Sequence, residues 1–165
     1  MNSLISGFCV AFSMYSFIPM PQLTWDKKTM RYALCFLPFV GVLIGACQYL
    51  WFLFCTHFEA NTLFYAIGAT LLPVLISGGI HLDGLTDTSD ALGSHSEPER
   101  RLEIMKDPHV GAFGVLGMVV FLMCETALFA QLYETPNYLF LALCGFTLAR
   151  IVGGRAIVSL TCAKN

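Results

Sequence analysis

Long runs without a charged residue constrain this chain more than any other feature. The clearest run extends from Tyr32 to Phe58. A helix needs about 20 apolar residues to cross the hydrocarbon core of a bilayer, so this run is long enough to span it. Only 12% of all residues are charged, about half of the share that is usual in soluble domains. The sequence therefore predicts an all-α, polytopic integral membrane protein.

Five apolar runs qualify as membrane spans, and they lie at residues 1–25, 32–58, 62–80, 110–133 and 138–160. The first is marginal, because its apolar part has only about 18 residues before a Pro-Met-Pro break. The second contains Gly41 and Gly45, whose GxxxG spacing allows another helix to approach closely. We therefore expect a single membrane domain over residues 1–165, folded as a helical bundle with about five transmembrane helices.

The positive charges are unevenly distributed between the ends of these runs. All 9 Lys and Arg residues fall toward one face of the five-span arrangement, at positions 27, 28, 31, 100, 101, 106, 150, 155 and 164. The turns at 56–61 and 134–137 contain neither residue type. Because Lys and Arg accumulate on the cytoplasmic side of membrane proteins, we expect segment 78–111 at the cytoplasmic face and the amino terminus outside.

Segment 78–111 interrupts the apolar pattern with a concentration of acidic residues. Its Asp83, Asp87 and Asp90 have i, i+4, i+7 spacing, which places them along one face of a helix. Like charges at this spacing repel each other, so the row is favourable only with a cation among them, and carboxylates suit Mg²⁺, Mn²⁺ or Ca²⁺. The alternative is an ordinary acidic loop. Against it, the glycine pair at 78–79 joins the aspartates to an apolar run without a polar linker.

A second helix is predicted from Pro98 to Asp107. It places Arg100, Glu103 and Asp107 at i, i+3, i+7, with Lys106 beside Glu103. Charges at helical spacing usually form a solvated face. If this helix instead faces the aspartates, Glu103 and Asp107 would complete a metal shell, and Arg100 and Lys106 would hold phosphate oxygens.

Two further residues are candidates because of their positions. His81 precedes Asp83 by two residues, and both a structural hydrogen bond and a catalytic or phosphate-binding role are open to it. Arg150 lies in a predicted span, where a charge is costly and therefore suggests function, although snorkelling to the interface is the alternative. Carboxylates that hold a divalent metal beside Arg and Lys suit the transfer of a phosphate-linked group.

These residues carry a resemblance to a known family. The run GGIHLDGLTDTSDAL at 78–92, followed by RRLEIMKD at 100–107, resembles the signature of the cobalamin synthases, the adenosylcobinamide-GDP ribazoletransferases. The resemblance begins at FSMYSFIPMP, residues 12–21, and extends to the end of the chain. It implies a multi-pass, Mg²⁺-dependent transferase of vitamin B12 (cobalamin) biosynthesis in bacteria and archaea. We expect it in the bacterial cytoplasmic (inner) membrane, and the positive charges predict an active site that faces the cytoplasm.

The implied reaction transfers the adenosylcobinamide phosphate moiety from adenosylcobinamide-GDP to α-ribazole or its 5′-phosphate and releases GMP. We assign roles to the matching residues by their chemistry. The hypothesis is catalysis by His81, Asp83, Asp87 and Asp107, substrate binding by Arg100, Lys106 and Arg150, and Mg²⁺ binding by Asp83, Asp87, Asp90 and Glu103. The expected partners are these two substrates and the lipid bilayer, without nucleic acid; homo-oligomerisation and the metal count are left open.

Three features differ from the family pattern. Phe17 stands where Arg is usual before Ile-Pro, and Pro108 replaces a common Ser, which predicts an earlier end of the second helix. Members of the family are also longer and have a late acidic motif beyond the last residue of this sequence, so we expect the chain to lack that motif.

Two other functions use similar residues. A CDP-alcohol phosphatidyltransferase also holds metal with membrane aspartates, but it expects a DGxxAR run, whereas Asp83 and Gly84 are followed by Leu-Thr-Asp. A cation transporter could place carboxylates between broken helices near the membrane midplane. It would not need Arg100 and Lys106 beside them.

Overall fold

The computed structural model describes residues 3–21, 23 and 27–160, apart from the side chains of residues 3, 27 and 28. This part of the chain contains helices and no β-strand, which confirms the all-α prediction. The helices are α1 (Ser3–Tyr15), α2 (Lys27–His57), α3 (Thr62–Ser77), α4 (Ile80–Gly93), α5 (Pro98–Ile104), α6 (Ala112–Glu134) and α7 (Leu139–Ser159), with a 3₁₀ turn at Pro136–Tyr138 before α7.

Three helices, α2, α6 and α7, are long and apolar enough to cross a membrane, and they confirm the second, fourth and fifth predicted spans. The predicted count of five is too high for the described residues, which contain three such helices, or four if a bent pair is counted as one span. Helix α1 has 13 residues, fewer than a span requires. Residues 1, 2, 22 and 24–26 of the first predicted span, and Lys164 among the positive charges, lie outside the described residues.

The third predicted span, 62–80, is interrupted by a bend of 96° between α3 and α4. Gly78 and Gly79 both have left-handed backbone angles, with φ of 64° and 78°. Their amides donate to the carbonyl oxygens of Leu75 and Val74, so they satisfy groups that the end of α3 leaves free. Only glycine adopts this conformation without strain, and the glycine pair therefore ends one helix and starts the next in a new direction.

Helix α2 packs against α7 through the predicted GxxxG pair. A Cβ atom at Gly41 would collide with the backbone of Phe146 and Thr147, and one at Gly45 would press on the carbonyl oxygen of Leu143. The absence of both side chains lets the two backbones approach closely. The predicted close approach of another helix at this pair is confirmed.

Polar contacts join α2, α3 and α6 inside the bundle. The Gln48 side chain donates to the carbonyl oxygen of Ala69 at 2.5 Å, and the indole of Trp51 donates to that of Tyr65 at 3.0 Å. The Tyr65 ring stacks on Tyr133 of α6 with centroids 4.4 Å apart. Because apolar side chains gain little from leaving lipid for protein, such hydrogen bonds and close packing hold membrane helices together. These contacts hold α6 in place, and the acidic helix α4 packs against α6.

Candidate active site

Helix α4 carries the three aspartates of the acidic segment on one face, as predicted. At about 100° per residue, Asp87 lies about 40° and Asp90 about 20° from Asp83 around the helix axis. Asp83 is exposed and Asp87 is half-buried. Neither carboxylate forms a hydrogen bond or an ion pair within the part of the chain that the structure describes. Both are therefore free to accept a cation or a hydrogen-bond donor from a substrate.

Asp90 has a different environment from its two neighbours. Its carboxylate oxygens accept hydrogen bonds from the backbone amides of Gly111 and Gly114, each at 2.7 Å. Gly111 directly precedes α6 and Gly114 lies in its first turn, where backbone N–H groups have no partner within the helix and where negative charge is favourable. Asp90 thus caps α6 and ties it to α4. This contact was not predicted, because from the sequence Asp90 was expected only to bind metal.

Helix α6 accommodates the polar face of α4 because it presents glycines there. A Cβ atom at Gly114 would collide with the side chains of Asp90 and Thr86, and one at Gly117 would collide with Ser89. The hydroxyls of Thr86 and Ser89 donate to carbonyl oxygens one turn earlier in α4, at 2.8 and 2.7 Å. The glycines at 111, 114 and 117 therefore form a track along which α4 lies close to α6, with its hydroxyl groups already satisfied.

Two of the charged residues of α5 pair with each other. Arg100 and Glu103 form an ion pair of 2.7 Å on the exposed side of the helix, with more than half of each side chain accessible to solvent. Lys106 is exposed and has no partner among the described residues. Helix α5 ends at Ile104, before the predicted limit at Asp107 and in agreement with the earlier end that Pro108 predicts. Pro108 explains this difference, because it disfavours a helical conformation at the preceding residue.

Asp107 lies in the loop after α5. Its carboxylate accepts a hydrogen bond of 3.0 Å from the backbone amide of His109 and lies 2.7 Å from the Nδ1 atom of that ring. The backbone hydrogen bond, followed by the one from the ring, lowers the pKa of Asp107. The carboxylate is therefore held in its charged form in this exposed loop.

The structure brings the predicted site residues together only in part. Asp90 and Asp107 line one pocket, whereas Asp83 lines another with Thr86 and Met118. Over the described ranges, no three His, Cys, Asp or Glu side chains are close enough to hold one metal ion among them. The protein alone does not assemble the predicted four-carboxylate shell in this arrangement.

His81 and Arg150 line a third cavity, of about 240 Å³, between α3, α4, α6 and α7. His81 lies about 200° around α4 from Asp83, so the two residues face different sides of the helix. Glu125 of α6 lines the same cavity and was not among the candidates. The signal that identifies it is its isolation, since it is the one charge in the predicted span at 110–133 and charges in spans suggest function.

Comparison with known proteins gives the same family over almost the whole chain. The family model described as cobalamin-5-phosphate synthase matches residues 7–165. A protein of Lachnoclostridium phytofermentans named adenosylcobinamide-GDP ribazoletransferase is 38% identical over 98% of this chain and 61% of its own length. Proteins of the same name are 34% identical in Clostridium perfringens, over 89% of this chain and 59% of their own, and 41% identical in Listeria monocytogenes, over 73% and 48%.

The chain therefore spans about three fifths, or less, of the length of these curated relatives. No solved structure matches it. The family match covers far more than half of the sequence and includes the acidic segment, α4 and the α6 glycines. The chain belongs to the cobalamin-5-phosphate synthase family.

Proposed function

We propose that this chain transfers the adenosylcobinamide phosphate moiety from adenosylcobinamide-GDP to α-ribazole or its 5′-phosphate, with release of GMP. The observation that carries the proposal is the pair of unpartnered carboxylates, Asp83 and Asp87, on one face of α4 in a chain of this family. The donor substrate is the one that the relatives' name contains. Such a substrate brings a diphosphate, which two carboxylates alone would repel and a divalent cation would attract.

Mg²⁺ fits this pair of residues. In proteins Mg²⁺ is usually held by one or two carboxylates together with substrate phosphates and water, rather than by a complete protein shell. Asp83 and Asp87 would hold it, while Asp90 is occupied by the α6 amides and Glu103 by Arg100. When bound, the ion would neutralise charge on the diphosphate and on the leaving oxygen. The sequence suggested four metal ligands. Of these, the proposal keeps Asp83 and Asp87 and leaves out Asp90 and Glu103.

The remaining charges act on the substrate in our proposal. Arg100 and Lys106 hold the diphosphate oxygens, and Arg100 does so with the N–H groups that its ion pair with Glu103 leaves free. A free ribose hydroxyl of the ribazole attacks the phosphorus attached to cobinamide, because the 5′ oxygen of ribazole 5′-phosphate already carries a phosphate. The bond from that phosphorus to the GMP oxygen breaks, and Asp87 of α4 or Asp107 in the loop after α5 accepts the hydroxyl proton. His81 faces the other cavity with Arg150, so we place it beside the substrate rather than at the reacting phosphorus.

We also propose that the acidic segment faces the cytoplasm from the inner membrane. The charged start of α2, the α5 region and the second half of α7 would then share one side, as the positive-inside rule requires. A phosphatidyltransferase that takes CDP-alcohols and a cation transporter are the alternatives. The family match favours the ribazole transfer over both.

The test is GMP release from adenosylcobinamide-GDP by the purified chain in detergent, with α-ribazole 5′-phosphate present or absent and with Mg²⁺ present or chelated. We expect release that requires both the acceptor and Mg²⁺. Asp87→Asn should lower the rate by about a hundredfold or more, since metal ions stabilise transition-state charge by several kcal/mol. Glu99→Gln, on the exposed side of α5, is the matched control and should keep the wild-type rate.

Near-normal GMP release by Asp87→Asn would contradict the metal-binding role of this residue. Movement of a divalent cation across vesicles containing the protein, without nucleotide consumption, would favour the transporter. Consumption of a CDP-alcohol would favour the phosphatidyltransferase.

A further inference from the structure

The cavity between α3, α4, α6 and α7 holds two opposite charges that do not pair with each other. Glu125 and Arg150 both line it, but no ion pair joins them in the described structure. The Nε atom of Arg150 is buried and has no hydrogen-bond partner. Unsatisfied charged groups are costly inside membrane helices and usually mark a functional site. A ligand that directs donors at Glu125 and acceptors at Arg150 would satisfy both.

The walls of the cavity favour a flat ring. Phe121, Phe146, Leu82 and Leu85 contribute apolar surface, and the guanidinium of Arg150 lies 6.0 Å from the centroid of the Phe146 ring. The volume of about 240 Å³ corresponds to roughly eight water molecules at 30 Å³ each. This is the scale of one bicyclic base and less than a whole nucleotide.

Guanine has the complementary pattern of hydrogen-bonding groups. Its N1–H and 2-amino groups are adjacent donors that match the two oxygens of a carboxylate, and its O6 and N7 are adjacent acceptors that match a guanidinium. Adenine has an amino group in place of O6, and the benzimidazole of a ribazole has no N–H donor. We propose that this cavity binds the guanine base of the donor substrate, with Glu125 and Arg150 as its specificity-determining residues.

This inference rests on the proposed function, which supplies a GDP-linked substrate. Leu82 lines both this cavity and the pocket that contains Asp83. A base in the cavity and a diphosphate at Asp83 would therefore lie on two sides of one residue. The arrangement assigns the base to the His81 side of α4 and the reacting phosphates to the aspartate side.

The test is equilibrium binding of GDP, IDP and ADP to the purified chain in detergent without acceptor. We expect GDP to bind most tightly, IDP less tightly because it lacks the 2-amino group, and ADP least. Glu125→Gln should weaken GDP binding roughly five- to a hundredfold, the range for one bidentate base contact, and should abolish the preference for GDP over IDP. Glu134→Gln, in the same helix but exposed, is the matched control and should keep both.

Arg150→Lys provides a second, separable result. It loses the paired donors to O6 and N7, which GDP and IDP share, so both affinities should fall while their ratio stays at the wild-type value. Because a ratio of affinities measured on one sample does not depend on the fraction of folded protein, partial misfolding would not produce the loss of the GDP-to-IDP preference that is expected in Glu125→Gln.

A wild-type GDP-to-IDP preference in Glu125→Gln would overturn the assignment of the cavity. If GMP release in the transfer assay remained normal, the proposed function would stand without it. If Glu125→Gln weakened the binding of cobinamide and left GDP binding unchanged, the assignment would also be overturned. The cavity would then bind a carboxamide group of cobinamide rather than guanine. Failure of the wild-type chain both to bind nucleotide and to release GMP would contradict the function and the inference together.

Discussion

Asp83, Asp87 and Asp90 share one face of α4, yet their carboxylates have different partners. Asp90 donates nothing and accepts two amide hydrogen bonds from α6, whereas the other two accept none from described residues. A carboxylate whose oxygens are both used by backbone amides stabilises the fold, and one with free oxygens is available for chemistry. The same residue type at helical spacing therefore serves two purposes.

Replacement of Asp90 should affect stability more than replacement of Asp87. Asp90→Ala removes the cap of α6 and should lower the free energy of unfolding by about 1–2 kcal/mol, the usual cost of losing a helix N-cap. Asp87→Ala should leave stability unchanged or raise it, because it removes a like charge from the row. Thermal unfolding in detergent without Mg²⁺ measures the difference, and an equal loss in both variants would contradict the capping role.

The Asp107 carboxylate should titrate below the ordinary value for aspartate. Hydrogen bonds from His109 lower its pKa, so the contact is fully formed above the usual pKa of 3.8 and is lost as the pH falls through the lower value of the folded protein. His109→Ala removes the ring but keeps the backbone amide, so the pKa of Asp107 should rise only part of the way. A ¹³C NMR titration of this carboxyl measures the shift, and an unchanged pKa in His109→Ala would exclude the ring contact.

At the scale of helices, the junction between α3 and α4 depends on backbone conformation rather than on side-chain space. Gly79 has a left-handed backbone, and a Cβ atom there would meet nothing within 4 Å. Gly84, inside α4, also has open space around it, but its φ is not in the left-handed region. The two glycines thus differ in backbone conformation alone.

Gly79→Ala and Gly84→Ala form a matched pair that isolates this effect. Gly79→Ala should lower the free energy of unfolding by about 1–2 kcal/mol, the cost of a left-handed conformation for an L-residue. Gly84→Ala should raise it by up to about 1 kcal/mol, because alanine favours the helix. Thermal unfolding in detergent compares them, and the junction would need another explanation if both variants had the same stability.

The sequence predicts the long helices well and the contacts between them poorly. Apolar runs with charged or Pro-containing limits predict α2, α6 and α7 to within a few residues, since a helix that crosses the hydrocarbon core needs a long apolar run. The bend at 78–79 was missed because the apolar run continues through the glycines to Ile80. The Asp90 cap and the shared cavity of Glu125 and Arg150 join positions far apart in the chain, and no local pattern encodes such pairs.

For the whole molecule, the bent pair of α3 and α4 decides the side on which later segments lie. If the pair forms one broken span, α5 and the turn between α2 and α3 lie on opposite sides of the membrane. If the pair forms a re-entrant loop, both lie on the same side. The Lys and Arg distribution favours the broken span.

Cysteines introduced at Glu59 and Asn137, in a background without native cysteines, should react with an impermeant maleimide in intact cells. One at Glu99 should react only after permeabilisation, and its labelling in intact cells would indicate the loop.

Helix α2 is longer than the hydrocarbon core of a bilayer is thick. Its 31 residues extend about 46 Å at 1.5 Å per residue, against a hydrocarbon core of about 30 Å. Such an excess is accommodated by tilting, by local thickening of the bilayer or by extension into the headgroups. Because α1 and α7 both pack on α2, a change in its inclination would carry them with it. The thickness of the surrounding bilayer should therefore influence the tilt of α2, and thin and thick bilayers should favour different tilts of the bundle.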